Sequence, residues 1–179
     1  MANTVMITTR CANENVDSYN RKAKSVTDVM NGAPLTLTFP KIRGDEVFTA
    51  TTAAAGAKNV YLAYSPEVNK LVVGQVWGGE DPRNFTNLKE IPFDCFKPQV
   101  GDIIQVSKEF FISAKDPDTV TNSTVVELVS GGFESKVSAT ASYGGISFNI
   151  GRKEPIVIAS KNVLTNEQND AYLLECTQN

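Results

Sequence analysis

The sequence predicts a mainly β protein: an antiparallel β-sandwich or barrel of about nine or ten short strands, with one short N-terminal helix. Residues 60–64 and 71–77 are apolar, β-branched and aromatic runs of strand length, and Ser65, Pro66 and Asn69 mark a turn between them. Comparable short runs, separated by turn-forming residues, recur along the chain. This spacing favours a sandwich or barrel over a parallel α/β sheet.

The first element is an arm, residues 2–10, in which Val5, Met6 and Ile7 stand between polar residues. An extended segment of this kind can add a strand to the sheet edge of a neighbouring molecule, or it can pair within its own sheet. The sequence does not decide between the two arrangements. The three apolar side chains are therefore candidates for a partner interface.

Residues 15–30 carry the one good helical pattern. The apolar positions of this segment share one face of an α-helix; they are Val16, Tyr19, Ala23, Val26, Val29 and Met30. Asn13 or Asn15 would cap the start of the helix, and Asn31 with Gly32 would end it. Because two heptads are fewer than the roughly three to four that a coiled coil needs, we expect this helix to pack on the protein's own sheet.

Strands follow from residue 35 onward, where Leu35, Leu37 and Phe39 alternate with threonines and give the strand one apolar face. Further strands are predicted at residues 47–49, 60–64, 71–77, 102–106, 110–113, 124–129, 146–150, 156–159 and 171–177. Residues 49–59 are ambiguous, 115–122 are the clearest internal loop, and 166–170 are a polar turn.

These elements predict an N-terminal arm and helix in residues 1–33 and a β-rich domain in residues 34–179. Two lobes divided near residues 115–122 are the alternative to a single β-rich unit. A chain of 179 residues is long enough to bury about 70% of the surface that its unfolded form exposes. The domain is therefore expected to fold without disulfides or metals.

The charge balance argues against nucleic acid as a partner. The chain has 17 Lys and Arg against 20 Asp and Glu, a formal net charge of -3, so it lacks the basic surface that phosphate binding requires. No apolar run approaches the ~18–20 residues that span a bilayer, and the first residues lack the order of a secretion signal. We expect a protein that is made and folded in a cytosol, with no membrane partner.

The three cysteines are expected to be reduced. Cys11, Cys95 and Cys176 are odd in number and far apart in sequence, which argues against a disulfide framework. We interpret them as thiols that pack as small apolar side chains.

The sequence does not predict an enzyme. The chain has no histidine, which removes the commonest general base, the serine and cysteine triads and most zinc sites. Paired carboxylates would be needed instead, as in glycoside hydrolysis, and Glu80, Asp81 and Glu90 are the candidates. Solvated loop acids are the favoured interpretation, so no catalytic residue and no cofactor are expected.

Two further groups of residues are of kinds that bind ligands in other proteins. Asp116 and Asp118, with Thr119 and Asn122, offer oxygen ligands of the kind that calcium takes, but the glycine and the bidentate glutamate of a calcium loop are missing. An Asx-type turn without a metal is favoured. The residues Arg21, Lys22 and Lys24 form a small basic cluster, which is expected to be a solvated face or to meet an acidic protein.

Aromatic residues raise an alternative function, a carbohydrate-binding module. Trp77 precedes two glycines, where its ring either seals the edge of the core or meets a ligand. Tyr61, Tyr64 and Tyr143 would supply further stacking surfaces for a sugar. A core or rim position is favoured for Trp77, which we also retain as a candidate for a partner interface.

Three segments, KNVYLAYSPEVNK, GGEDPRNFTNLKEIPFDCFKPQVGDIIQVS and AYLLECTQN, together resemble small structural proteins of tailed-bacteriophage particles, in particular head decoration (cement) proteins. The similarity spans about residues 58–108 and 171–179. It implies a protein of the virion surface that is assembled in the bacterial cytoplasm. Its partners would be the major capsid protein and copies of itself, often as a trimer, with no cofactor and no catalytic residues. Another virion component, of the tail, baseplate or fibre, is the alternative.

Overall fold

A computed structural model describes residues 4–12, 17–41, 44, 46–66, 83–112, 115–137, 144–159 and 166–179. The prediction of a mainly β protein is confirmed, since strands dominate the described residues. The strand predicted at residues 71–77, with Trp77, lies outside them. No helix in the described part of the chain is long and apolar enough to cross a membrane.

The described strands form a closed five-stranded barrel, a six-stranded sheet and a two-stranded sheet. In chain order they are β1 Met6–Arg10, β2 Asn20–Lys24, β3 Pro34–Thr38, β4 Phe48–Thr52, β5 Tyr61–Ala63, β6 Phe93–Phe96, β7 Ile103–Ser107, β8 Val125–Val129, β9 Gly132–Lys136, β10 Ser147–Lys153, β11 Ile156–Ala159, β12 Asn166–Asn169 and β13 Ala171–Gln178. Short 3-10 helices cover Asp17–Tyr19 and Lys108–Phe110.

The barrel has the strand order β2-β4-β3-β5-β6 and closes through the pairing of β2 with β6. Its pairs are antiparallel except β2 with β4, which is parallel. Alternation along β6 assigns its side chains to two cores: Phe93 and Cys95 belong to the barrel interior, whereas Phe96 belongs to the larger core outside it.

The larger core lies against one face of the six-stranded sheet, whose order is β1-β7-β13-β10-β8-β9. Alternate residues of the central strands supply it, such as Ile104 and Val106 from β7. Leu62 and Phe96 of the barrel belong to the same cluster. Barrel and sheet therefore share one apolar core. The change from barrel to sheet falls between β6 and β7, and the strands on either side of residues 115–122 belong to one sheet.

The predicted N-terminal helix is wrong. Residues 17–19 form a single 3-10 turn, and residues 20–24 are strand β2. Ala23 is fully buried because it lies opposite Phe93 in the barrel, while Val26 and Met30 are 72% and 42% exposed. The conformation of this segment is determined by pairing with a strand that is distant in the sequence, and not by the local helical spacing.

Smaller differences concern other strands. Residues 110–113 were predicted as a strand, but Phe110 ends a 3-10 helix and Phe111 forms an isolated bridge, while residue 113 lies outside the described residues. The predicted polar turn at 166–170 is largely strand β12, which pairs with β11. Strand β9, which follows the turn at Gly131, and the barrel strand β6 were not predicted. The described strands are also more numerous than the nine or ten expected.

Candidate functional site

The predicted interface residues of the arm lie mostly inside the molecule. Val5 and Met6 are 4% and 2% exposed, and Ile7 is 40% exposed. Strand β1 pairs antiparallel with β7 of its own sheet, with Ile7 opposite Gln105. The sequence allowed the arm to pair either with a neighbouring molecule or within its own sheet, and in the structure it pairs within its own sheet.

The outer edge of β1 is an open sheet edge among the described strands, because β1 is the first strand in the order of the sheet. The Ser107 N–H donates to the Val5 carbonyl at 2.9 Å, and hydrogen-bonded pairs alternate along an antiparallel ladder. The backbone groups of Met6 and Thr8 therefore face away from β7. A bulge between Thr8 and Arg10 limits the length of this edge.

Four exposed apolar side chains lie on two neighbouring loops at one end of the barrel, and we call them the loop patch: Val26, Met30, Leu88 and Ile91, which are 72%, 42%, 41% and 44% exposed. Val29 forms an antiparallel bridge with Asn87, and the Glu90 N–H donates to the Ser25 carbonyl at 2.8 Å. These bonds hold the two loops side by side. The patch was not predicted, since Val26 and Met30 were assigned to the core face of a helix.

A buried polar network fixes the loops from beneath. Asn31 is 2% exposed; its amide donates to the Ser65 carbonyl at 2.9 Å and its carbonyl oxygen accepts from the Ser65 N–H at 3.0 Å. The same oxygen accepts from Asn87 Nδ2 at 3.2 Å, and Asn87 also donates to the Val29 carbonyl. Asn31 thus ties both loops to the residues that follow β5.

A pocket of about 270 Å³ opens between the barrel and the six-stranded sheet, and we call it the barrel–sheet pocket. Its inner lining is apolar and mostly buried: Val29, Ala33, Leu35, Phe110, Phe111 and Phe133. Its outer lining includes Met30, a member of the loop patch, and two exposed carboxylates, Asp28 and Glu109. The pocket is therefore continuous with the loop patch.

The pocket has an acidic rim. None of the described residues that line it is lysine or arginine. One carboxylate oxygen of Asp28 accepts a hydrogen bond from the Lys89 N–H at 2.8 Å, which fixes the position of that group. The rim is therefore suited to a positively charged group, and the inner lining to an apolar one.

Of the three residues considered for catalysis, the structure describes Glu90 alone. Glu90 is exposed, has a left-handed φ of 60° and lies on the loop that carries Leu88. Glu80 and Asp81 lie outside the described residues. Within the described ranges, no group of three or more histidine, cysteine or acidic side chains has an arrangement that would hold a metal ion.

The Asx-type turn favoured for residues 116–119 is confirmed. One Asp116 carboxylate oxygen accepts from the N–H groups of Asp118 and Thr119 at 3.0 and 3.1 Å, and the other accepts from Thr119 Oγ1 at 2.9 Å. The Asp118 carboxylate bonds to Lys153 at 2.8 Å. The ammonium group of Lys153 therefore contacts Asp118, one of the two carboxylates that a calcium site in this loop would need.

The substitution Asp116→Asn is expected to weaken the protein most at neutral pH. Burial alone would raise the pKa of Asp116, but hydrogen bonds from Thr119 and Asp118, with the charge of Lys108, hold this pKa below its usual 3.8. A carboxyl with a lowered folded pKa stabilises the protein above the unfolded value, and this stabilisation is lost as the pH falls through the folded pKa. We expect a loss of about 1–2 kcal/mol at pH 7 and a smaller difference between variant and wild type below about pH 4.

Urea unfolding at a series of pH values measures this dependence. Asp17→Asn is the control, because Asp17 is exposed in a 3-10 turn. An Asp116→Asn variant that loses stability on acidification as steeply as wild type would contradict the expected role.

The cysteines are free thiols, as predicted, and all three are buried. Burial raises the pKa of Cys95 and of Cys176 to about 12. Such thiols are protonated at neutral pH and act as apolar side chains.

Three of the residues considered for binding, Tyr61, Tyr64 and Lys22, contact other parts of the fold. Tyr61 packs against the barrel core, and Tyr64 contacts Phe96 edge to face at 5.9 Å. Both are half-buried, whereas Trp77 and Tyr143 lie outside the described residues. Lys22 pairs with Asp94 at 2.6 Å on the surface of β2, where the sequence had placed a helix.

Comparison with known proteins identifies no relative. No protein-family model, no curated protein and no solved structure matches this chain.

Proposed function

We propose that this chain is a capsid decoration protein, which binds the major capsid protein on the outer surface of a bacteriophage head and stabilises the shell. The observation that carries the proposal is the loop patch. Exposed apolar side chains that are clustered, rather than scattered singly, are typical of a protein-binding surface. The resemblance of residues 58–108 and 171–179 to head decoration proteins supports the choice of partner.

The patch suits a small contact that is repeated over a lattice. Each contact needs to bury no more than the ~1,600 Å² of a standard interface, because neighbouring copies on a symmetric shell bind with avidity. In the proposed arrangement three copies meet at a local threefold axis. The open edge of β1 supports a contact with a neighbouring chain, since an unpaired edge can accept a further strand.

Binding to heads tests the proposal. Wild-type protein is expected to bind expanded, undecorated heads of its virus to saturation and to raise the temperature at which they rupture. Val26→Glu and Leu88→Glu are each expected to weaken binding at least about tenfold, because a charge would be buried against an apolar surface. Sedimentation of heads with labelled protein measures bound against free chain.

Val100 provides a matched control. It is 71% exposed, close to the 72% of Val26, and it follows the opposite end of β6. Val100→Glu is expected to bind as wild type does. Failure of the wild-type protein to bind heads would overturn the proposal, and binding to tails would assign the chain to the tail instead. Equal binding by all variants would exclude the loop patch as the contact.

A further inference from the structure

We propose that the barrel–sheet pocket receives the lysine or arginine side chain of an extended segment of the shell protein, and that apolar residues beside that side chain cover the loop patch. The shell protein as partner rests on the function proposed above. The chemistry of the pocket, a basic residue flanked by apolar ones, rests on the pocket alone.

The size of the pocket points to a single side chain. Pockets for small-molecule ligands occupy about 300–1,000 Å³, and this one, at about 270 Å³, is below that range. A single long side chain fits such a volume. Its backbone would remain outside, where the neighbouring residues of the same segment can reach the surface around the pocket.

The charges select a basic side chain. Lysine and arginine combine an apolar stem with a charged end, and they bury the stem while the charged end stays near water. The inner lining provides buried apolar groups such as Val29 and Phe110 for the stem, and Asp28 and Glu109 provide the opposite charge at the mouth. With no lysine or arginine among the described lining residues, an acidic side chain would be repelled.

The pocket and the loop patch form one surface. Met30 belongs to both, and Asp28 at the rim is bonded to the backbone of Lys89, the residue that follows Leu88. A segment whose basic side chain entered the pocket would therefore lie across the patch. Its neighbouring side chains would need to be apolar to bury these exposed groups.

The pocket wall is preformed. The rings of Phe110 and Phe133 stack at 4.4 Å between centroids. Gly32 in the lining has a left-handed φ of 81°, and an added Cβ would lie 3.0 Å from Thr4 Cγ2 and 3.1 Å from Phe110 Cδ2. Glycine thus lets the loop pass close to the ring. A rigid wall lowers the entropy cost of binding.

Two peptides test the chemistry of the pocket. The first is acetyl-Thr-Val-Arg-Val-Thr-amide, and the second replaces arginine with citrulline, which keeps the shape and removes the charge. With isotope-labelled full-length protein, the arginine peptide is expected to shift the amide resonances of Gly32, Gly131 and Gly132. Titrations that follow these shifts should show that the arginine peptide binds at least about tenfold more tightly than the citrulline peptide. Added salt should reduce the difference, because the charges at the rim are exposed.

Heads test the partner. The double variant Asp28→Asn, Glu109→Gln is expected to bind heads at least about tenfold more weakly than wild type. Asparagine keeps an oxygen for the Lys89 N–H, so the loop should keep its conformation. The control variant Asp17→Asn, Glu175→Gln removes the same charge from exposed positions outside the pocket and is expected to bind as wild type does.

The outcomes separate the two proposals. If wild type and the double variant bind heads equally and neither peptide shifts the pocket resonances, the pocket inference is overturned and the proposed function stands. If wild type does not bind heads but the arginine peptide alone shifts these resonances, the proposed function is overturned and the pocket chemistry stands. Equal binding of the arginine and citrulline peptides would overturn the selection by charge.

Discussion

Phe96→Ala is expected to lower the free energy of unfolding by about 3–5 kcal/mol. Phe96 is 1% exposed and lies on a barrel strand, yet its ring belongs to the core that the barrel shares with the six-stranded sheet. The substitution removes a large apolar side chain and leaves a cavity at this junction. Because folded domains are typically stable by only about 5–15 kcal/mol, such a loss would remove much of the total.

Urea unfolding followed by circular dichroism and by fluorescence measures the effect. Phe39→Ala is the control, because Phe39 is 76% exposed and touches Phe48 edge to face; a change below about 1 kcal/mol is expected for it. Coincident transitions are expected in wild type, since one core joins barrel and sheet. A loss below about 1.5 kcal/mol for Phe96→Ala would show that the shared core does not hold them together.

The sequence predicted strands best where alternation and turn residues agreed. Residues 103–107 are an example, because buried Ile104 and Val106 alternate with half-buried Ile103 and Gln105. Both signals are local. A strand whose two faces differ in polarity can therefore be recognised without knowledge of its partner strands.

The error at residues 15–30 has a long-range cause. The spacing of Ala23, Val26 and Met30 fits a helix, but β2 pairs with β6, and Arg21 lies opposite Cys95. Sequence periodicity carries no information on a partner so far along the chain. A strand only five residues long also offers few positions from which a period of two could be distinguished from a helical one.

The candidate site was beyond sequence reasoning for the same reason. The loop patch joins residues near 26–30 with residues near 88–91, and the barrel–sheet pocket joins Thr4 with residues as distant as Phe133. The one local sign of the loop patch in the sequence is the presence of Leu88 and Ile91 in a predicted loop. Neither the contact between these loops nor the acidic rim follows from composition, because each brings together residues that are far apart in the sequence.

Asn31→Ala is expected to destabilise the protein by about 3–5 kcal/mol, although it removes only a small polar side chain. The substitution would leave the Ser65 N–H and carbonyl without the partners that Asn31 provides, at about 1–3 kcal/mol for each buried group, and would remove an acceptor from Asn87. The sequence identified Asn31 with Gly32 as a helix end. In the structure the side chain of Asn31 instead bridges three segments.

The same substitution should disturb the loop patch before the whole chain unfolds. Hydrogen exchange of the full-length protein is expected to show faster exchange at the amides of Val29, Asn87 and Glu90, which bond the two loops together, while the amides of β7 and β13 keep their protection. Asn149→Ala, at an exposed position of β10, is the control and is expected to change stability by less than about 0.5 kcal/mol. An Asn31→Ala variant as stable as this control, with unchanged exchange in the loops, would show that the network does not support the patch.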